Sequence, residues 1–366
     1  MSMSRIKIVQ IESFYNNFLK QLYGANPILE SMNYDYQMQA LLNSGWSSGQ
    51  NVVPHLNPSK FESYYLIPSH VNLQIRWAKE KGINTEGMST DQILLYQLEF
   101  LKPDIIYLSD IPCFNFKVLD FLTKKPYVVA WHATALSNTI NWSSIDLLLS
   151  GVDKIRERAM ELGVKATEEF MSGAPNYRNQ DAPATLPTEN DICFSGSFID
   201  GLHDQRAQLF LEISKHIAPY KIDIFSSNKF TESSNNIRFF PAVYASEVVN
   251  VYSKYKIVID ARANFGLSED LFEAQTSNMR VFEATRAGAL LLTQHSSNIE
   301  KYFNIDSEII TYRNNKEFVE KILFYSDPRN ERLRASIAER GYSKSIKSHS
   351  IEQRALWFEN IISKFA

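Results

Sequence analysis

The stretch from Met279 to Thr293 constrains the fold of this chain more than any other. Helix-forming residues run from Met279 to Ala287, Gly288 follows, and Ala289 to Leu292 is an unbroken apolar run. A glycine at that place supplies the left-handed conformation that ends many helices. An apolar run so short suits a parallel strand buried on both faces. A helix feeding a buried strand is the repeating unit of a doubly wound α/β sheet. Arg280 and Glu283 stand three residues apart, on one face of that helix. A charged pair opening a helix at the carboxyl-end crevice of such a sheet is placed to hold a charged ligand.

The same rhythm recurs along the chain. Strands are predicted at Arg5–Ile11, Ser63–Ile67, Pro103–Asp110, Tyr127–Trp131 and Ile145–Ser150. Between them, Ser13–Leu42 reads as helices broken at Gly24–Pro27, Gly45–Gly49 as a loop, and Asn72–Lys81 and Thr90–Leu101 as helices. Thr90 is a candidate cap for the last of these. Further helices are predicted at Phe116–Leu122 and Asp153–Leu162. Residues 172–190 carry three prolines and few aliphatics and read as a linker. A second series follows: strands at Asp191–Ser195, Lys221–Phe225 and Lys256–Asp260, helices at His203–His216 and Ala245–Tyr255. The tail Ser345–Ser363 reads as helical.

A chain of 366 residues exceeds one simple core, so two domains are expected. With 44% hydrophobic and 22% charged residues and a formal net charge of −3, it is ordinary globular protein without a basic field to recruit nucleic acid. The start, Met1 to Val9, lacks the long apolar run and cleavage site of a signal peptide, and no stretch approaches a membrane span. A cytoplasmic location is expected, with contact at the inner face of the membrane still open. Cys113 and Cys193 read as reduced, buried residues without metal-ligand spacing.

Four groups of residues invite chemistry. Arg280 and Glu283 come first, the plain alternative being a surface ion pair. Gly196 and Ser197 follow a strand, with Arg206 on the next helix; a glycine at a strand end brings backbone N–H groups close to a phosphate. Arg262 follows the strand ending at Asp260, and its fork of donors suits a diphosphate, or else a pairing with Asp260 or Glu269. His132 and Asp110 stand at the polar ends of two strands in the first half, placed for catalytic contact with a substrate, although a lone histidine is more often structural.

The run Asn278-Met-Arg-Val-Phe-Glu-Ala284, then Gly288-Ala-Leu-Leu-Leu-Thr293, resembles the donor-binding segment of GT-B glycosyltransferases of the glycosyl transferases group 1 superfamily. The similarity continues through Asn298–Phe303, Glu308–Tyr312, Ile337–Gly341, His349 and Arg354. It implies an α/β GT-B fold of two Rossmann-like, doubly wound domains facing across a cleft. The implied division is an acceptor-side domain at 1–180, a nucleotide-sugar domain at 190–344, and a helix at 345–366 crossing back to the first domain. Glu283 would accept hydrogen bonds from a ribose diol, and Arg280 would bond a diphosphate or orient Glu283. Asn278 belongs to the same donor segment. The larger retaining groups carry a second Glu where this chain has Gln275. His132 matches a position that related retaining enzymes place near the transferred sugar.

No Asp-x-Asp, Walker A loop, His-Glu-x-x-His or dinucleotide fingerprint occurs. The resemblance implies a glycosyltransferase; with these motifs missing, it is expected to need no metal or cofactor, positive side chains neutralising the leaving diphosphate. Its partners would be a nucleotide-sugar donor and a carbohydrate or lipid-linked glycan acceptor, in retaining synthesis of bacterial lipopolysaccharide, O-antigen or capsule. Two rivals stay open: a GT-B sugar-nucleotide epimerase, and a non-catalytic sugar-nucleotide or glycan binder.

Overall fold

The computed structural model describes residues 5–47, 49–176, 190–201, 203–230, 234–262, 275 and 278–365. It divides into two compact units: Met1–Met171 with Arg354–Ala366, and Ser172–Gln353. Part of the predicted linker, 177–189, lies outside the described residues, as do Asn264 and Glu269.

In the first unit the chain runs β1 (Ile6–Ile11), α1 (Asn16–Ala25), α2 (Tyr34–Asn43), β2 (Phe61–Leu66), α3 (Val71–Glu80) and α4 (Thr90–Leu101). It continues through β3 (Ile105–Leu108), α5 (Lys117–Asp120), β4 (Tyr127–Trp131), β5 (Leu147–Ser150), α6 (Asp153–Glu161) and β6 (Ala166–Glu169). The six strands pair in parallel in the order β2-β1-β3-β4-β5-β6. Val9, Ile106, Leu108, Val128 and Leu148 pack with Leu94 and Leu98 of α4 in the core. The cap of α4 is Ser89, not Thr90. The Ser89 side chain accepts from the Gln92 N–H, and the Gln92 side chain accepts from the Ser89 N–H at 2.8 Å, a reciprocal box that Thr90 could not make.

The second unit holds β7 (Asn190–Ser195), α7 (Asp204–Ser214), β8 (Ile222–Phe225), β9 (Ile237–Phe240), α8 (Ser246–Tyr252) and β10 (Tyr255–Asp260). Then come α9 (Arg280–Ala287), β11 (Leu290–Gln294), β12 (Ile310–Tyr312), α10 (Asn315–Ser326) and α11 (Glu331–His349). Its strands are also parallel, in the order β12-β11-β10-β7-β8-β9. Gly288 ends α9 with φ +79°, the left-handed cap that the sequence predicts. Helix α8 stops at Tyr252 rather than Tyr255, because Tyr255 already pairs with Asn190 in the sheet.

The tail is not one helix from Ser345. Helix α11 ends at His349, Ser350 is extended, and α12 (Ile351–Ile362) starts afresh. The Ala174 N–H takes the His349 carbonyl at 2.6 Å, so that carbonyl is already bonded where the helix breaks. Cys193 is buried as expected, but Cys113 is exposed, because it lies in the turn after β3 rather than in the core.

Candidate active site

In a doubly wound sheet, ligands collect where the strand order reverses, at the carboxyl ends of the two strands that flank the reversal. In the second unit these strands are β7 and β10. They end at Ser195 and Asp260. The conspicuous polar residues of the sequence gather there.

Asp260 is fully buried and is the centre of the cluster. Its Oδ1 accepts from Arg280 Nη1 at 2.6 Å and from Asn278 Nδ2 at 2.5 Å, and its Oδ2 from Thr293 Oγ1 at 2.8 Å. The motif residues Asn278, Arg280 and Thr293 thus share one carboxylate. The remaining donors of Arg280 reach the Ser195 carbonyl, from Nε at 3.0 Å and Nη2 at 2.6 Å. Its guanidinium lies 4.7 Å from the centre of the Phe194 ring. Burial alone works to discharge Arg280. Tyr252, Asp260 and Glu283 outweigh that and hold it above the ordinary arginine range.

Glu283 is half-buried one turn into α9. Among the described residues no side chain or backbone N–H bonds its carboxylate. Burial raises its pKa to about 7, against the pull of Arg280 and with some push from Asp260. The structure therefore separates two carboxylates that bracket one arginine. Asp260 is fully engaged, whereas Glu283 is left open to a ligand.

Gly196 is required where it stands. A Cβ there would meet Phe194 Cζ at 2.7 Å and Arg280 Nη2 at 3.0 Å. Its N–H is already bonded to the Phe225 carbonyl at 3.1 Å, so that donor serves the sheet rather than a phosphate. Arg206 is buried and donates from Nη1 to the Ser197 carbonyl at 2.7 Å and from Nε to the Ala261 carbonyl at 3.1 Å. Burial, then Arg280 nearby, bring its pKa down to about 9. Arg262 donates from Nη2 to the carbonyls of Gln294 at 2.9 Å and His295 at 2.6 Å. Gln275 is half-buried outside any helix or strand. Three guanidinium groups thus stand beside one bonded carboxylate and one whose charge burial disfavours. Among the described residues the balance is positive and suits an anion.

The first unit has its own reversal, between β1 and β3. Glu12 follows β1 directly, and Ser109 and Asp110 follow β3. Ser109 Oγ bonds Glu12 Oε2, the Ser13 N–H reaches Glu12 Oε1 at 3.3 Å, and Gln10 Nε2 donates to Ser109 Oγ at 3.0 Å. Burial raises the Glu12 pKa to about 8, against the Ser109 bond and with a push from Asp110. His132 lies just past β4, buried, its Nε2 3.1 Å from Thr134 Oγ1 and 3.2 Å from the Ala135 carbonyl. Burial lowers its pKa, partly offset by the Ala135 bond and by Asp110. Asp110 is half-buried and acts electrostatically on both Glu12 and His132. Sequence reading named Asp110 and His132 but missed Glu12. The available signal was its place, immediately after a predicted strand.

Residues 205–360 match a protein family described as glycosyl transferase-like. Among solved structures, HepE of Anabaena, in complex with UDP and glucose, is 10% identical, over 98% of this chain and 100% of its own, with a TM-score of 0.58. A glycosyltransferase of Rickettsia africae is also 10% identical, over 99% of both chains, with a TM-score of 0.58. TarM of S. aureus, in complex with fondaparinux, α-GlcNAc-glycerol and UDP, is 13% identical, with a TM-score of 0.54. That match takes in 74% of this chain and only 58% of TarM. At such identities these likenesses establish the two-domain GT-B fold. No curated protein sequence matches the chain.

Proposed function

We propose that the chain is a GT-B glycosyltransferase, its residues 205–360 matching a glycosyl transferase-like family, and that it moves a sugar from a nucleotide-diphosphate donor to a glycan or lipid-linked acceptor. The observation that carries this reading is the open carboxylate of Glu283 beside the positive cluster of Arg280, Arg206 and Arg262. A carboxylate with no hydrogen-bond donor among the described residues accepts from a ribose diol, and guanidinium groups favour a diphosphate. In this reading Asn278 and Asp260 fix Arg280, and Arg206 shapes the turn at Ser197. Gly196 lets the guanidinium of Arg280 approach the backbone, and Gln275 lies near enough in sequence to join the donor site.

Charge neutralisation by arginine makes the transfer metal-independent in this proposal. The departing diphosphate helps to take the acceptor proton, so the anomeric configuration is retained. The first unit takes the acceptor, with Asp110 and His132 as its catalytic contacts. HepE and TarM hold UDP, so uridine is the base to try first. Synthesis of a bacterial surface polysaccharide at the inner face of the membrane fits this chemistry.

The test is thermal unfolding against a panel of nucleoside diphosphates and nucleotide sugars, with and without divalent cation. A ligand that binds only the folded chain raises the melting temperature by mass action. A shift with one nucleotide family, lost in Glu283→Ala, is the expected result. A shift that survives in Glu283→Ala would overturn the site, and the absence of any shift would overturn the donor reading.

A further inference from the structure

A second cavity, of about 570 Å³, lies within the first unit and is separate from the strand-end cluster just described. That volume falls in the range of small-ligand sites. Its walls come from α1, the turn at Glu30, α2 at Gln37, and His70 with α3.

The floor is polar and internally satisfied. Tyr23 donates its hydroxyl to Gln37 Oε1 at 2.8 Å, and His70 Nε2 lies 2.8 Å from the same hydroxyl. Since the Tyr23 proton goes to Gln37, His70 Nε2 carries the proton of that second bond. Gln37 in turn donates to the Met32 carbonyl at 2.7 Å. Burial lowers the His70 pKa to about 4, so the floor stays neutral at physiological pH.

The rim is charged. Asn72, Arg76 and Lys79 recur on one face of α3, and Lys20 faces them from α1. Lys20 and Lys79 have no hydrogen-bond or ion-pair partner among the described residues. Arg76 has one bond, from Nη2 to the Glu30 carbonyl at 3.2 Å. Glu30 is the one acid of the lining, against three cations. The whole chain carries a net charge of −3, so a cavity with this balance runs against the background. A neutral, pre-built floor under unpaired cations recognises an anion that also offers hydroxyl groups.

We propose that this cavity binds an acidic sugar residue, one bearing a carboxylate or phosphate, as part of an anionic acceptor chain. The acceptor role rests on the transferase reading above; the anion site does not. Lys20 and Lys79 meet the acid group, Arg76 adds its fork, and Tyr23 offers a ring face to the sugar.

The test is titration of the full chain with a uronic-acid tetrasaccharide, a glycerol-phosphate tetramer and a neutral maltotetraose, followed by calorimetry. Binding of either charged chain, well above the neutral one, is expected, and the tighter of the two identifies the acid group. Lys20→Gln with Lys79→Gln should weaken that binding about tenfold, since one exposed charge contributes roughly threefold to fivefold. A control pair in the other unit, Lys215→Gln with Lys316→Gln, should leave it unchanged. Equal binding of the neutral chain, or an equal loss in the control pair, overturns the proposal. Nucleotide-dependent melting of the same samples separates the two readings. Nucleotide binding without anion binding sinks only this site, and anion binding without nucleotide binding sinks only the donor reading.

Discussion

Arg280 stands between two acids, and burial treats them differently: Asp260 receives three side-chain donors, and Glu283 none among the described residues. Because the Glu283 pKa is raised to about 7, the carboxylate is only partly ionised at neutral pH. A ribose diol donates to the ionised form, so apparent affinity scales with its fraction. Nucleotide affinity should rise about tenfold from pH 6 to pH 8 and then level off. Glu283→Gln should bind weakly and lose that part of the pH dependence; an unchanged profile would remove Glu283 from the ribose. Glu12 makes the opposite kind of prediction, one of stability. Its folded pKa of about 8 lies above its ordinary 4.5, so the folded chain keeps a proton that the unfolded chain releases. The stabilisation is complete below about pH 4.5 and is lost as pH rises through about 8. Glu12→Gln, which keeps the shape without the charge, should melt with the parent at pH 5 and above it at pH 9, by up to a few kcal/mol. Urea unfolding at the two pH values checks this. Glu283 and Arg280 were legible because a helix with a glycine stop announces its own register. Glu12 showed only by its place after a strand, because Ser109, which bonds it, and Asp110, which acts on it electrostatically, lie almost a hundred residues away and no local spacing records them.

At the scale of elements, legibility follows burial. The strands that carry the cores, β3, β4, β5, β10 and β11, are apolar runs and were readable. Three edge strands, β6, β9 and β12, were not; β12 is buried, but it is only three residues long. β6 is Ala-Thr-Glu-Glu, half-buried throughout, and β9 alternates half-buried with exposed residues. An edge strand is held by backbone bonds on one side, so it needs little of the apolar signal by which strands are recognised. Helices show a parallel effect in their glycines. Gly341 lies within α11, and a Cβ there would meet the Glu308 carbonyl oxygen at 2.3 Å. Gly24 lies within α1, and a Cβ there meets nothing within 4 Å. Alanine is favoured over glycine in a helix by up to about 1 kcal/mol. Gly24→Ala should therefore stabilise by roughly 0.5 kcal/mol or slightly more. Gly341→Ala should destabilise by about 2 kcal/mol, because forcing α11 away from backbone outweighs the propensity gain. Chemical denaturation of the two variants should show opposite signs, and a stabilised Gly341→Ala would mean that α11 does not press against Glu308.

At the scale of the molecule, each unit closes a six-stranded parallel sheet of its own, and each reverses strand order where its polar cluster lies. The α/β rhythm was enough to read two such sheets. The assignment of the chain's last segment is a different matter, because it depends on contacts far apart in sequence. Residues 354–366 belong to the first unit. Phe358 is fully buried there, with ring centres 4.9 Å from Tyr107 and 6.0 Å from Phe170. The Asn57 N–H donates to Glu359 Oε1 at 2.7 Å, and Lys364 pairs with Glu168 at 2.8 Å. Ala355, Ile361 and Ile362 are buried with Phe358. Deleting 354–366 thus strips the cover from Tyr107 and Phe170 while leaving every strand of the second sheet in place. Loss of one buried phenylalanine costs about 3–5 kcal/mol, against a domain stability of about 5–15 kcal/mol. The first unit should therefore become marginal. Hydrogen exchange read by mass spectrometry should show protection lost from β3 and the segment through Phe170 and kept in β7, β10 and β11. Phe358→Ala should show the same pattern more weakly. Equal loss in β10 and β11 would mean that the segment supports both sheets, and unchanged protection in β3 would mean that Phe358 contributes little to the first core.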